Sequence, residues 1–287
     1  MAANVAKKLL LVTAGGGTYE AAVILSYQLM ATSKKGTSND NNINELKKSE
    51  HVCESSLVSS AGNFCKKMQK EETYRRVATI YDDTIGRDEL FMGTLLLRRA
   101  LLHFHARGTV LEVAAGTGRN LQYYPTSAVT KVVIVDSSES MLQKARQKIQ
   151  QQQQKQQKER QNAIQFETNV ADASNLAQYE DNTFDTVVDT FGLCSFDDPV
   201  VVLKELQRVC KPEGKILLLE HGRTKSYSGL SNYLDKHAEQ HARNWNCVWN
   251  RDIEQIVRDS GLKIQSYHTW HFGTTYYMVC LPQKKQQ

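Results

Sequence analysis

The stretch Thr109-Val-Leu-Glu-Val-Ala-Ala-Gly-Thr-Gly-Arg-Asn120 carries most of the fold information in this chain. Thr109–Val113 is apolar and β-branched around one acid, and predicts a strand. The strand runs into Gly116-x-Gly118 and then a helix start, an arrangement that lets a ligand approach bare backbone N–H groups. Working outward, Lys131–Val135 reads as a second strand, followed by a helix from Ser137 into the glutamine-rich run 150–157. Ile164–Thr168, Phe184–Asp189 and Lys215–Leu219 give three more strands. Strands alternating with helices predict an α/β fold with a doubly wound, mostly parallel sheet. Leu262–Trp270 and Thr275–Leu281 are joined only by His271-Phe272-Gly273-Thr274, a hairpin. The seven-stranded sheet should therefore finish with an antiparallel C-terminal edge strand.

Composition narrows the function. Hydrophobic residues make up 40% and charged residues 23% of the 287, which excludes wholesale disorder and a polytopic membrane protein. The net charge of +5 is uneven: residues 1–70 hold nine lysines against five acids, so the rest is close to neutral. No basic stripe suggests a nucleic-acid partner. Six cysteines, Cys53, Cys65, Cys194, Cys210, Cys247 and Cys280, show no CxxC spacing. They read as free thiols in a reducing compartment, with no metal site expected.

The first 70 residues differ in character. Lys7-Lys8 and Lys34-Lys35 bracket a mainly apolar stretch, residues 9–33, long enough for one bilayer-spanning helix. Gly15-Gly16-Gly17 and Glu20 interrupt it, and a central carboxylate costs roughly 2.5–3.5 kcal/mol on insertion. Residues 1–35 are thus expected to be a targeting segment or a single membrane anchor, and 36–69 a linker. Residues 70–287 are expected to form the main domain, which opens with helical stretches around Tyr74, Val77 and Tyr81 and around Leu95–Leu101.

The ligand follows from two acids. A dinucleotide fingerprint needs a third small residue at position 121, which is Leu121. Glu112, at the end of the first strand, suits a cationic amino group better than an anionic pyrophosphate. Asp136 ends the second strand, where a carboxylate can accept both hydroxyls of a ribose. An amino-acid cation joined to a ribose describes S-adenosylmethionine.

The motifs LEVAAGTGRN (111–120), VDSSESML (135–142), ADASNL (171–176), NTFDTVV (182–188) and KPEGKILLLEHGR (211–223), in this order and spacing, resemble a class I SAM-dependent methyltransferase with a Rossmann-like sheet. The resemblance is to the methyltransferase type 11 group, which includes the quinone C-methyltransferases. Within that group, TFGLCSFDDP (190–199), LD-x-x-A-x-x-H (234–241) and NWNCVWNRDI (244–253) look like two sets of relatives. These are the membrane-anchored mitochondrial methyltransferase-like proteins and the membrane-associated thiol methyltransferases. Ala114 departs from the pattern, since many such enzymes have glycine there.

The resemblance implies roles residue by residue. Glu112 would hold the methionine amino group, and Ala114, Gly116 and Gly118 would line the carboxypropyl chain. Asp136 would bind the ribose, with Ser137 and Met141 flanking the adenine. Asp172 and Ala173 would meet the adenine edge, and Thr190 would sit beneath the sulfonium. His221, directly after the fifth strand, is the imidazole best placed to act as base on the acceptor. Cys194 could face the same site, or be a buried apolar thiol. Trp245, Trp249, Tyr276 and Tyr277 would either line an apolar acceptor pocket or belong to the core. His237 and His241 have a metal-compatible spacing, but an amphipathic helix accounts for them better.

The expected activity is methyl transfer to a small or lipophilic thiol, quinol or phenol. The alternatives are a scaffold or assembly factor at the mitochondrial inner membrane, and an RNA or protein methyltransferase. The implied location is a membrane, with the mitochondrial inner membrane as the compartment; the alternative is a soluble protein of a mitochondrial or cytoplasmic compartment.

Overall fold

Seven strands assemble into one sheet, and the five inner ones are largely apolar because they have to be covered on both faces, as parallel strands are. The computed structural model describes residues 60–159 and 163–283; the apolar stretch 9–33 lies outside them, as does most of the expected linker. The described residues open with three helices, α1 (Ser60–Ala78), α2 (Tyr81–Met92) and α3 (Thr94–His105). Helical structure thus begins ten residues before the expected domain start at 70. Then follow β1 (Gly108–Val113), β2 (Val129–Asp136), α4 (Glu139–Glu159), β3 (Gln165–Val170), β4 (Phe184–Thr190), α5 (Pro199–Val209) and β5 (Cys210–His221). The chain closes with α6 (Ser228–Trp245), α7 (Ile253–Asp259), β6 (Lys263–Trp270) and β7 (Thr275–Leu281).

The sheet order is β3-β2-β1-β4-β5-β7-β6. The five strands β1 to β5 run parallel, and β7 runs antiparallel to both β5 and β6. The mostly parallel sheet with a reversed C-terminal strand is as expected. The hairpin folds so that β7 sits against β5 and β6 takes the outer edge. Alternation along β1 sends Leu111 and Val113 to a core shared with α5 and α7, and Val110 to a core shared with α3 and α4. No helix among the described residues is long and apolar enough to cross a membrane.

Local chemistry sets the element ends. Asp198 caps α5 by accepting from the Val200 and Val201 N–H groups, with Pro199 in the first turn. Gly93, at φ +73°, turns the chain from α2 into α3 in the left-handed region that glycine enters without strain. One expectation is corrected here. No α-helix follows Gly118; the chain makes turns and a short 3-10 stretch, Leu121–Tyr123. Pro125 lacks a donor and restrains Tyr124, leaving too few residues after Gly118 to sustain a helix.

Candidate active site

The carboxyl ends of the parallel strands converge on one cavity of about 980 Å³. Strand order reverses between β1 and β4, the place where an open α/β sheet leaves a crevice. The loop after β1 forms one wall. Ala114 has φ +47° and Gly116 φ +55°. A side chain on Gly116 would meet no atom within 4 Å, so the loop backbone faces open space. Gly118 differs: a Cβ there would lie 2.7 Å from Leu121 and 3.1 Å from Ala145. Its bareness serves the packing of α4.

Asp136 is fixed by that loop. Gly116 N–H donates to Oδ2 at 2.8 Å, and Ser138 N–H donates to Oδ1 at 2.9 Å. Each oxygen keeps a lone pair for a ligand, and Ser137 and Met141 line the cavity beside it. Asp172 and Ala173 line it from the loop after β3. Asp172 Oδ1 accepts from both the N–H and the hydroxyl of Ser174, an Asx turn that holds the carboxylate.

Three of the expected site residues sit behind the wall. Glu112 is buried, accepting from Asn120 Nδ2 at 3.0 Å and Tyr124 OH at 2.6 Å. Burial pushes its pKa up to about 7. Thr190 Oγ1 accepts from Arg98 and Asn120. Glu112, Gly118 and Thr190 therefore shape the loop from beneath, whereas Ala114, Gly116, Asp136, Ser137, Met141, Asp172, Ala173 and His221 share the cavity.

Sequence reasoning missed the roof. Tyr74 and Val77 of α1, and Tyr81, Ile85, Glu89 and Met92 of α2, close over the cavity. Ion pairs hold α2 down: Glu89 binds Arg98 at 2.5 Å and Arg119 at 2.6 Å, and Asp82 binds Lys148 at 2.7 Å. Arg119 belongs to the β1 loop motif, so helix and loop are one unit. Its place beside the glycines was the available signal.

Two acids lie beneath the loops, outside the cavity lining. Asp189 is fully buried, and the backbone N–H of Gly192 is the donor that faces its carboxyl. A Cβ on Gly192 would lie 2.1 Å from Asp189 Oδ1 and 2.7 Å from Ala114 Cβ, so this carboxyl abuts the β1 loop. Glu220 accepts from the Gly192 and Leu193 N–H groups at 3.4 and 3.2 Å, tying down the turn after β4. Burial, and then the neighbouring Cys194, holds Asp189 well above the usual carboxylate range. A cation beside it would reverse that. S-adenosylmethionine, with its ribose and amino-acid chain, fits the Asp136 carboxylate at the cavity wall beside a bare-backbone cradle.

The remaining end is apolar and sulfur-rich. His221 lines the cavity, with Nε2 3.0 Å from Cys247 Sγ and its ring edge-on to Phe191. Cys194 lines it too. A hydrogen bond with Cys247, aided by His221, holds the Cys194 thiol well below the usual range, whereas burial pushes Cys247 up. Of the four aromatic candidates, Trp245 lines the cavity, Trp249 stacks on His241 behind it, and Tyr276 and Tyr277 are core. His241 is buried against Trp249 while His237 packs on Tyr233, so this pair forms no metal site.

Residues 111–218 match the family described as a methyltransferase domain, of the type 11 group. The fold, the loop and the match together make this chain a member of the SAM-dependent methyltransferases. It is 34% identical over 214 residues to the mitochondrial methyltransferase OMS1 of Saccharomyces cerevisiae, covering 72% of this chain and 45% of that protein. It is 35% identical over 150 residues to a phosphatidylethanolamine N-methyltransferase of Cereibacter sphaeroides (52% of this chain, 66% of that protein). A thiol S-methyltransferase, TMT1B of Rattus norvegicus, is 38% identical over 117 residues (39% and 42%). The chain thus spans less than two thirds of each of these relatives. Among solved structures, an O-methyltransferase family protein from Burkholderia thailandensis has the same fold, with a TM-score of 0.56 at 17% identity, covering 80% of this chain and 64% of that one.

Proposed function

We propose that this chain transfers the methyl group of S-adenosylmethionine to the thiol of a small, largely apolar acceptor. The observation that carries this reading is one cavity with two unlike ends. Asp136 and the bare loop at Gly116 form one end, and Cys194, His221 and Trp245 form the other. When bound, S-adenosylmethionine supplies an activated methyl group. In this reading Asp136 accepts from the ribose hydroxyls. Ser137, Met141, Asp172 and Ala173 surround the adenine, and the Ala114–Gly116 backbone borders the amino-acid portion.

The protein's remaining task is alignment and exclusion of water, which is where most of the rate of such a displacement arises. The roof of α1 and α2 encloses the reacting groups. A sulfur acceptor reacts as its thiolate, and His221 with its two thiol neighbours stands where that sulfur would lie. Likeness to a thiol S-methyltransferase supports a sulfur acceptor; likeness to OMS1 supports a mitochondrial setting. We place residues 9–33 in the membrane and the methyltransferase domain outside it. Alkaline carbonate should leave the intact protein in the membrane pellet, and recovery in the supernatant would remove the anchor.

An acceptor panel tests the activity. Formation of S-adenosylhomocysteine should be fastest with apolar thiols and slow with quinols, phosphatidylethanolamine and RNA. Turnover confined to any of the latter three would replace the thiol reading.

A further inference from the structure

Cys194, His221 and Cys247 are 27 and 26 residues apart in sequence and come from three places. These are the turn after β4, the last residue of β5, and the segment between α6 and α7. The fold brings their two sulfurs and an imidazole nitrogen all within 4.8 Å of one another. Both thiols are buried, and all three residues line the cavity. The segments that carry the cysteines are pinned together, with Val248 N–H donating to the Cys194 carbonyl at 2.9 Å. Glu220, adjacent to His221, anchors the turn that leads into Cys194 through the Leu193 N–H. Backbone contacts thus hold the two cysteine segments together, and Cys247 Sγ also meets His221 Nε2 at 3.0 Å.

We propose that Cys194, His221 and Cys247 form a site for a soft divalent cation of the zinc type, with its open position turned to the acceptor end of the cavity. Bonds of about 2.3 Å to sulfur and about 2.1 Å to nitrogen put tetrahedral donors about 3.5–3.8 Å apart. Cys247 Sγ and His221 Nε2 lie 3.0 Å apart and all three donor atoms within 4.8 Å of one another, a span that brackets that arrangement. Two thiolates and an imidazole select zinc-like ions over magnesium or calcium, which require oxygen donors. Three protein ligands with one position free is the pattern of a reactive site, whereas structural zinc takes four.

The role of the ion rests on the methyl-transfer reading above. The acceptor thiol gives its proton to solvent as its sulfur bonds to the ion. That sulfur then forms a bond to the methyl carbon, whose bond to the donor sulfur breaks with the electron pair staying on the donor. The neutral thioether binds the ion more weakly than the thiolate and leaves.

Cobalt titration of the full-length chain, stripped with a chelator and kept reduced, tests the site. One cobalt per chain should bind with intense thiolate-to-metal charge-transfer absorption, and equimolar zinc should displace it. Cys194→Ser and Cys247→Ser should each cut that absorption by half or more and weaken binding by about a hundredfold, and the double variant should lose the absorption. Both variants should still bind S-adenosylhomocysteine, which shows that they fold. His221→Asn serves as a third variant if either serine variant does not. A fully reduced wild-type chain that gives no charge-transfer absorption overturns the site, and so does absorption undiminished in the double cysteine variant. A chain that binds cobalt this way yet methylates no thiol keeps the site and refutes the acceptor.

Discussion

Gly116 donates its backbone N–H to Asp136 Oδ2 across 2.8 Å, joining the loop after β1 to the end of β2. The bond sets the carboxylate at the cavity wall before any ligand arrives. Asp136→Ala removes the group proposed to receive two ribose hydroxyls, each a charge-assisted bond of about 1.5–3 kcal/mol. S-adenosylhomocysteine affinity should fall by about a hundredfold or more, read by calorimetric titration. Asp136→Asn, which can still accept one hydroxyl, should fall between the two.

Ala114 holds a left-handed φ of +47° with a Cβ that resists it. Ala114→Gly should relieve about 1 kcal/mol of strain, partly offset by the greater freedom of glycine when unfolded. Urea midpoints should show a variant no less stable than the parent. A clear loss would mean that the Ala114 methyl packs against the Asp189 region with more than its strain costs.

Glu89, 5% exposed, pairs with Arg98, 3% exposed, and with Arg119. Glu89→Ala strands a buried guanidinium, which typically costs about 3–5 kcal/mol. Because the pair fastens α2 over the cavity, cofactor affinity should fall along with stability. Denaturant unfolding and titration on one preparation check both.

Glu112 has a folded pKa of about 7, above its unfolded value, because burial disfavours the charge. The folded state therefore holds a proton that the unfolded state has released. The stability this gives is present at acid pH and is lost as pH rises through about 7. Glu112→Gln, permanently neutral, should gain on the wild type between about pH 5 and pH 8. A stability difference independent of pH would place the Glu112 pKa near its ordinary value.

The sheet was legible because strand residues such as Val132–Val135 and Ile216–Leu219 are apolar on both faces, a pattern that parallel strands impose. Asp136 was legible as a cavity residue for a similar reason: the acid ends a mainly apolar run at the carboxyl end of a parallel strand, where the crevice opens. Glu112 shows the limit. The same strand-end position places it beneath the loop, bonded to Tyr124 and Asn120, and spacing along one strand cannot tell wall from foundation. The roof of α1 and α2 was illegible because its contacts, such as Glu89 with Arg119, join segments with no shared periodicity. The sulfur cluster was illegible too, since the pairing of β4 with β5 brings Cys194 to His221 and Cys247 joins them from the separate segment between α6 and α7.

Methyl-labelled S-adenosylmethionine, incubated with the full-length chain and a small apolar thiol, tests the central claim most directly. Mass spectrometry should find the label on sulfur, as a thioether formed in step with S-adenosylhomocysteine, and Asp136→Ala should lose both products together. Label transferred only to nitrogen, carbon or oxygen acceptors, or a donor that binds and is never consumed, would contradict it.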